Sequence, residues 1–217
     1  MPKPKLLIIG YSSFARRRII PSLKKNKRFN YCICSKSNKI NSKIKIFYNN
    51  YEDALKKFNP DIVYISTINS FHYNYAKKIL LKGFNVIVDK PIALNFKHSK
   101  YLLNIAKRKK LLLAEAIMFN YHRLFNVIKK ECNGFDKIEH IKSDLNHPLI
   151  LSPKQIEKIK GDCEYDMAIY ASSIIRLFMK NEIKNLSVNR NYFKNTRTVK
   201  NFYIKTNIKK STYFGNF

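Results

Sequence analysis

The chain has 217 residues, long for one ordinary domain and short for two, so one complete domain plus part of another is expected. Hydrophobic residues at 45% and aromatics at 13% suffice for a packed core and exclude a disordered chain. The 43 Lys+Arg against 14 Asp+Glu give a formal charge of +29, which by itself would suit nucleic acid or another polyanion.

The placement of the lysines argues otherwise. They are scattered through "KKNKRF", "KKILLKG", "AKRKK" and "KQIEKIK" and travel with abundant Asn, Ile and Tyr. A genome biased toward A and T leaves that mixture at tolerant surface positions, so the charge is attributed to composition and nucleic acid is not the expected partner.

In chain order, residues 5–9 (KLLII) form a short apolar strand that stops at Gly10. A helical pattern runs from Phe14 to about Lys25, and Pro21 is expected to interrupt it. Strands follow at 30–35 and 43–49, then a helix at 50–58 with Asn50 as its cap. "DIVYIST" (61–67) is again β-branched and apolar, and the next helix ends at Gly83, the expected terminating glycine. "NVIVDK" (85–90) reads as a strand, 98–110 as a helix and "LLLAEA" (111–116) as a strand.

Apolar strands alternating with amphipathic helices predict an α/β fold: a Rossmann-type, doubly wound parallel sheet covered on both faces. Ligands bind at the carboxyl ends of such strands, where Gly10, Ser35, Thr67, Lys90 and Glu115 stand. The texture changes near Asn120, which divides the chain into a dinucleotide-binding domain at 1–120 and a second domain at 121–217. The second is read as an incomplete α+β domain with a mainly antiparallel sheet. It has a strand at 137–145, a long helix at 161–180, and a strand pair at 183–193 and 199–206. "STYFGNF" begins a further strand, which is expected to leave an unpaired edge.

Cys32, Cys34, Cys132 and Cys163 form no C-x-x-C pair and have no zinc-type His spacing, so no metal site is indicated. Of Cys32 and Cys34, one at most is expected to face the core. The N-terminus lacks a signal-peptide layout and no apolar run is long enough to span a bilayer, so a soluble, cytoplasmic protein without a membrane partner is expected.

The first strand runs into Gly10-Tyr11-Ser12-Ser13-Phe14-Ala15, which matches two of the three small positions of the dinucleotide fingerprint G-x-G-x-x-G/A. Ser12 replaces the middle glycine, and its hydroxyl is expected to donate to phosphate. The second strand ends at Cys34-Ser35-Lys36 without the carboxylate that binds the NAD ribose. A hydroxyl and a cation suit a 2′-phosphate, so NADP is preferred, with NAD as the other choice.

With these pieces in order, the segment 61–95 resembles the glucose-fructose oxidoreductase/inositol dehydrogenase (Gfo/Idh/MocA) family. That family carries an E-K-P motif about twenty residues after T-P-N-x-x-H; here they read Asp89-Lys90-Pro91 and Thr67-Ile68-Asn69-Ser70-Phe71-His72. "AEAIMFNYH" (114–122) and "GDCEYDMAIYA" (161–171) are similar to two further family motifs, and "ARRRIIPSL" looks like the branch that reduces nucleotide-linked ketosugars. Two departures stand out: Ser12, and the loss of two of three glycines before Asp166.

The resemblance implies a nicotinamide-dependent oxidoreductase moving a hydride between cofactor and a sugar or nucleotide-linked ketosugar. It places Lys90 at the nicotinamide and substrate, aimed by Pro91, a residue often cis in the family. A lysine in a dry cleft beside a cationic nicotinamide has its charged form disfavoured, so it can exchange a proton or polarise a carbonyl. Asp166, Tyr170 and Ser173 share one helical face, beside an apolar stripe that includes Met167, Ala171, Ile174 and Ile175. By resemblance, Tyr170 exchanges a proton at the sugar oxygen and Asp166 positions a neighbouring hydroxyl. Gly10, Ser12, Ser13, Phe14, Ala15, Ser35, Lys36, Thr67, Asn69, His72, Asp89, Lys90 and Pro91 are the expected cofactor residues. His72 is expected to shape the cofactor loop, and Glu115 and His122 are weaker candidates.

In the family a large open C-terminal sheet closes the substrate site and makes the dimer face. This chain stops within that sheet, so a truncated or partial product is expected, oligomeric only if the shorter sheet suffices. The alternative is a catalytically degenerate dinucleotide fold that serves as a binding module for polyanions.

Overall fold

A computed structural model describes residues 2–36, 46–131, 139–146, 151–159, 161–178, 183–208 and 211–217. They form two compact units, Met1–Ala116 and Ile117–Phe217. Cys132 and the outer parts of the strands expected at 43–49 and 137–145 lie outside the described residues.

The first unit is built on six parallel strands: β1 (Lys5–Ile9), β2 (Asn30–Cys34), β3 (Phe47–Tyr48), β4 (Ile62–Ile65), β5 (Asn85–Val88) and β6 (Leu113–Glu115). Their spatial order is β3-β2-β1-β4-β5-β6. The strand order reverses between β1 and β4, the switch point where doubly wound sheets bind ligands. Successive residues of β1 enter opposite layers: Leu7 and Ile9 join one buried cluster, Leu6 and Ile8 the other. Both faces are covered, which is why the strand reads as an unbroken apolar run.

Cys32 and Cys34 are both buried in the same cluster, contrary to the expectation that one at most would be. Residues two apart in a strand share a face, and Ile33 between them enters the opposite layer. Burial first, then neighbouring negative groups, pushes the Cys32 thiol up to about 12 and the Cys34 thiol up to about 11.

Pro21 does not interrupt its helix. A π-helical turn, Ala15–Ile19, leads into α1 (Ile20–Asn26), and the Ile20 N–H bonds back to the Ala15 carbonyl. Proline clashes with the carbonyl four residues earlier in a regular helix, and the wider turn just ahead of Pro21 accommodates it. Helix α2 (Tyr51–Phe58) starts as expected, with the Asn50 side chain accepting from the N–H groups of Glu52 (2.7 Å) and Asp53 (3.4 Å). Helix α3 (Asn69–Leu81) is followed by Gly83 at φ 90°, and α4 (Phe96–Lys109) is capped by Asn95.

The second unit contains a four-stranded mixed sheet: β7 (His140–Asp144), β8 (Lys184–Tyr192), β9 (Val199–Ile208) and β10 (Ser211–Asn216) in the order β7-β10-β9-β8. β10 runs antiparallel to β9 and parallel to β7, so the last strand is interior rather than the expected open edge. Helices α5 (Arg123–Glu131), α6 (Pro153–Ile159) and α7 (Cys163–Phe178) accompany the sheet. Met167, Ala171, Ile174 and Ile175 of α7 pack on Phe202 and Tyr213 of the sheet, as their spacing predicts. Among the described residues no helix is long and apolar enough to cross a membrane.

Candidate active site

At the carboxyl ends of the parallel strands, each chain exit is tied to its neighbour. Gly10 N–H donates to Cys34 O (2.8 Å), Ser66 N–H to Ile9 O (2.8 Å), Asp89 N–H to Ile65 O (2.9 Å) and Ala116 N–H to Val88 O (2.8 Å). These bonds place the glycine turn, the Ser66–Thr67 exit of β4 and the Asp89-Lys90-Pro91 turn side by side.

Gly10 is required twice over. Its φ of 101° is disfavoured for any residue with a side chain, and a Cβ there would lie 2.2 Å from the Ser66 carbonyl oxygen. Beyond it, Ser12 caps the next helix, its hydroxyl accepting from the Ala15 N–H at 2.9 Å. The first-turn amides of Ser13 and Phe14 have no acceptor inside a helix and are suited to an anion at that terminus. Ser12 does not turn its hydroxyl outward, however; it bonds Ser66 Oγ at 2.7 Å.

Asp89 uses its carboxylate inside the protein. Tyr64 Oη donates to Oδ1, and Ser66 Oγ donates to Oδ2 at 2.6 Å. Burial, then the Asp89 charge and hydrogen bond, hold the Tyr64 phenol well above its usual range, so it remains a donor. The Lys90–Pro91 peptide is cis. His72, which is buried, joins the two motifs: Nδ1 lies 2.7 Å from Pro91 O and Nε2 lies 3.1 Å from Thr67 O. Two carbonyls thus face one ring, one at each nitrogen. Glu115 completes the frame by accepting from the Ile92 N–H at 2.7 Å.

Lys90 itself is half-buried just beyond β5, which ends at Val88. Asn69 opens α3. At the end of β2, Ser35 N–H donates to Tyr48 O (3.0 Å), and Lys36 is exposed. Geometry thus brings Gly10, Ser12, Thr67, His72, Asp89, Lys90 and Pro91 to adjoining strand exits, with Ser12 bonded to Asp89 through Ser66 and His72 set between Thr67 and Pro91. Ser66, Tyr64 and the structural use of Glu115 escaped the sequence reading; the β4 strand pattern marks Tyr64 and Ser66 as core, with nothing local to reveal their shared carboxylate.

Asp166 and Tyr170 stand on α7 of the second unit. Asp162, beside the retained Gly161, caps that helix by accepting from the Tyr165 N–H (3.1 Å). Arg190 of β8 holds Glu164 with two bonds, at 2.7 and 2.5 Å. A capping carboxylate and a bidentate ion pair therefore fix the start of the helix. Asp166 lines a cavity of about 250 Å³ with Cys163, Met167, Lys200, Asn201 and Phe217. Tyr170 packs at the margin of the α7–sheet core and Ser173, next along their row, is buried. His122, in the same unit, accepts from the Leu124 N–H (3.2 Å) at the start of α5.

Comparison with known proteins agrees with this geometry. Residues 5–116 match the model of the oxidoreductase family with an NAD-binding Rossmann fold, Gfo/Idh/MocA. Among curated relatives, trans-1,2-dihydrobenzene-1,2-diol dehydrogenase of Xenopus laevis is 22% identical over 138 residues, covering 62% of this chain and 42% of that protein. D-xylose 1-dehydrogenase (NADP(+)) of Hypocrea jecorina is 34% identical over 77 residues, 36% of this chain and 20% of that one. The chain thus matches less than half the length of these relatives. Among solved structures, KijD10, a 3-ketoreductase from Actinomadura kijaniata in complex with NADP and TDP-benzene, superposes with a TM-score of 0.85 at 18% identity, covering 100% of this chain and 70% of that one. The strand order, the Gly10 turn and the matched span together establish that this chain belongs to the Gfo/Idh/MocA family of NAD-binding oxidoreductases.

Proposed function

We propose that the protein is an NADP-dependent oxidoreductase interconverting a carbonyl and an alcohol on a sugar or nucleotide-linked ketosugar. The observation that carries this reading is the clamped turn at Asp89-Lys90-Pro91, beside the dinucleotide switch point, in which carboxylate, carbonyl and following amide are each held by a separate side chain. Such restraint suits a group that must meet a reacting atom within tenths of an ångström.

The residues fit the cofactor. The Gly10 turn and the helix beginning beyond Ser12 provide the pyrophosphate end, and Ser35 with Lys36 provides a hydroxyl and a cation for a 2′-phosphate. When bound, the nicotinamide supplies or accepts the hydride. Lys90 holds the substrate oxygen by hydrogen bond and charge, and the resemblance to the family assigns Tyr170 the proton that the sugar oxygen gains in reduction or loses in oxidation. Asp166, in a cavity that also offers Lys200 and Asn201, accepts from a neighbouring hydroxyl, which suits a polyhydroxylated ligand. The D-xylose dehydrogenase supports the sugar class, and the 3-ketoreductase from Actinomadura kijaniata, which holds NADP and TDP-benzene, supports a carbonyl substrate on a nucleotide carrier.

Thermal-shift titration with NADPH, NADH and nucleotide-linked ketosugars tests the reading. NADPH is expected to raise the midpoint more than NADH does, and a ketosugar nucleotide to raise it further in its presence. No response to either dinucleotide, together with steeply salt-dependent retention on RNA, would instead support the polyanion-binding alternative.

A further inference from the structure

Counting protons gives the Ser12–Ser66–Asp89 chain a direction. Asp89, as a carboxylate, only accepts, so the Ser66 hydroxyl spends its single proton on Oδ2 (2.6 Å) and Tyr64 spends its own on Oδ1. Ser66 Oγ can then only accept from Ser12, 2.7 Å away. The Ser12 proton is committed to Ser66, while a Ser12 lone pair receives the Ala15 N–H at 2.9 Å. The hydrogen bonds run from Ala15 N–H through Ser12 and Ser66 to the Asp89 carboxylate, all donors aligned, and aligned donors strengthen one another. Ser66 is fully buried, so water does not replace Ser12 as its donor.

We infer that Ser12 is a positioning residue, not a phosphate ligand: its hydroxyl braces the Asp89-Lys90-Pro91 turn through Ser66 and so couples the dinucleotide loop to the lysine. The middle glycine of the fingerprint cannot make this bond. Donating to a phosphate would take the Ser12 proton away from Ser66, and swinging the side chain outward would abandon the Ala15 N–H as well. The kinetic part of the inference rests on the reading of Lys90 above; the structural part does not.

The test uses Ser12→Ala, Ser12→Thr, Ser66→Ala and the Ser12/Ser66 double alanine variant in the full chain. Amide hydrogen exchange is followed at Asp89, Lys90 and Ile92 against the β2 amides as internal reference, alongside the NADPH dissociation constant. Ser12→Ala should speed exchange at the turn roughly tenfold, the factor an ordinary hydrogen bond supplies, and leave β2 unchanged. NADPH affinity should change by less than about threefold, since no phosphate contact is lost. Ser12→Thr, which keeps the hydroxyl, should restore wild-type exchange, and the double variant should be no worse than Ser66→Ala alone. With an accepted substrate, kcat should fall and KM hold. Unchanged exchange at the turn overturns the inference, whether affinity is retained or lost. Should Ser12→Ala fail to fold, Ser66→Ala decides by the same exchange readout. Full turnover by Lys90→Ala would refute the catalytic reading alone, and the exchange data would still decide on Ser12.

Discussion

The turn after β5 and the end of β2 both carry a lysine, and the protein treats the two in opposite ways. Around Lys90, the Asp89 amide and carboxylate, the Pro91 carbonyl and the Ile92 amide are held by Ile65, Tyr64, Ser66, His72 and Glu115. Lys36 is exposed one residue beyond Ser35, whose amide bonds Tyr48. The difference follows the task proposed for each. Stabilising charge at a reacting oxygen tolerates little displacement, whereas an ammonium on a flexible four-carbon stem can find a phosphate from many positions. One lysine is positioned by its backbone; the other needs only to be near.

The largest way to break that contrast is Lys90→Ala, which should lower kcat by about 10²–10³, the range for losing a positioned donor that stabilises charge on the reacting oxygen. Next comes Gly10→Ala. With φ at 101° and a Cβ forced to 2.2 Å from Ser66 O, it should cost about 2 kcal/mol or more by denaturant unfolding and abolish cofactor-induced stabilisation. Asp89→Ala, which leaves Tyr64 and the buried Ser66 without their acceptor, should cost about 1.5–3 kcal/mol in the same assay. At the other end, Lys36→Ala should weaken NADPH roughly tenfold with NADH little changed, which shifts the preference without moving kcat. If Lys36→Ala reduced turnover as much as Lys90→Ala, the division of labour would be wrong.

The smallest effect concerns the thiols beneath the β2 end. Cys32 and Cys34 are raised from 9.0 to about 12 and about 11, so the folded state favours the protonated thiols. Their contribution to stability is therefore full below pH 9 and is lost as pH rises through 11 to 12. Both should resist iodoacetamide at pH 8 until the protein is unfolded, a difference readable by mass spectrometry.

The sequence made the local features of the first unit legible because each is set by neighbours along the chain. Asn50 as a cap, Gly83 as a terminator and Gly10 as a turn follow from backbone chemistry within a few residues. Long-range features were not legible in the same way. Ser12 meets Ser66 across 54 positions and His72 meets Pro91 across 19, so no window around either residue shows its partner. Pro21 announced a break, but a widened turn absorbed it. The final strand looked like an edge because parallel pairing with β7 leaves no turn signal. Site residues were therefore identifiable by motif, while the network that positions them required the fold.

The most direct test of the account is a paired measurement on wild type and Lys90→Ala with one accepted ketosugar nucleotide: NADPH oxidation under saturating conditions, and the NADPH dissociation constant. The account predicts turnover reduced by at least about a hundredfold with cofactor affinity within about threefold. Wild-type turnover by the variant, or loss of activity that merely tracks loss of NADPH binding, would contradict it.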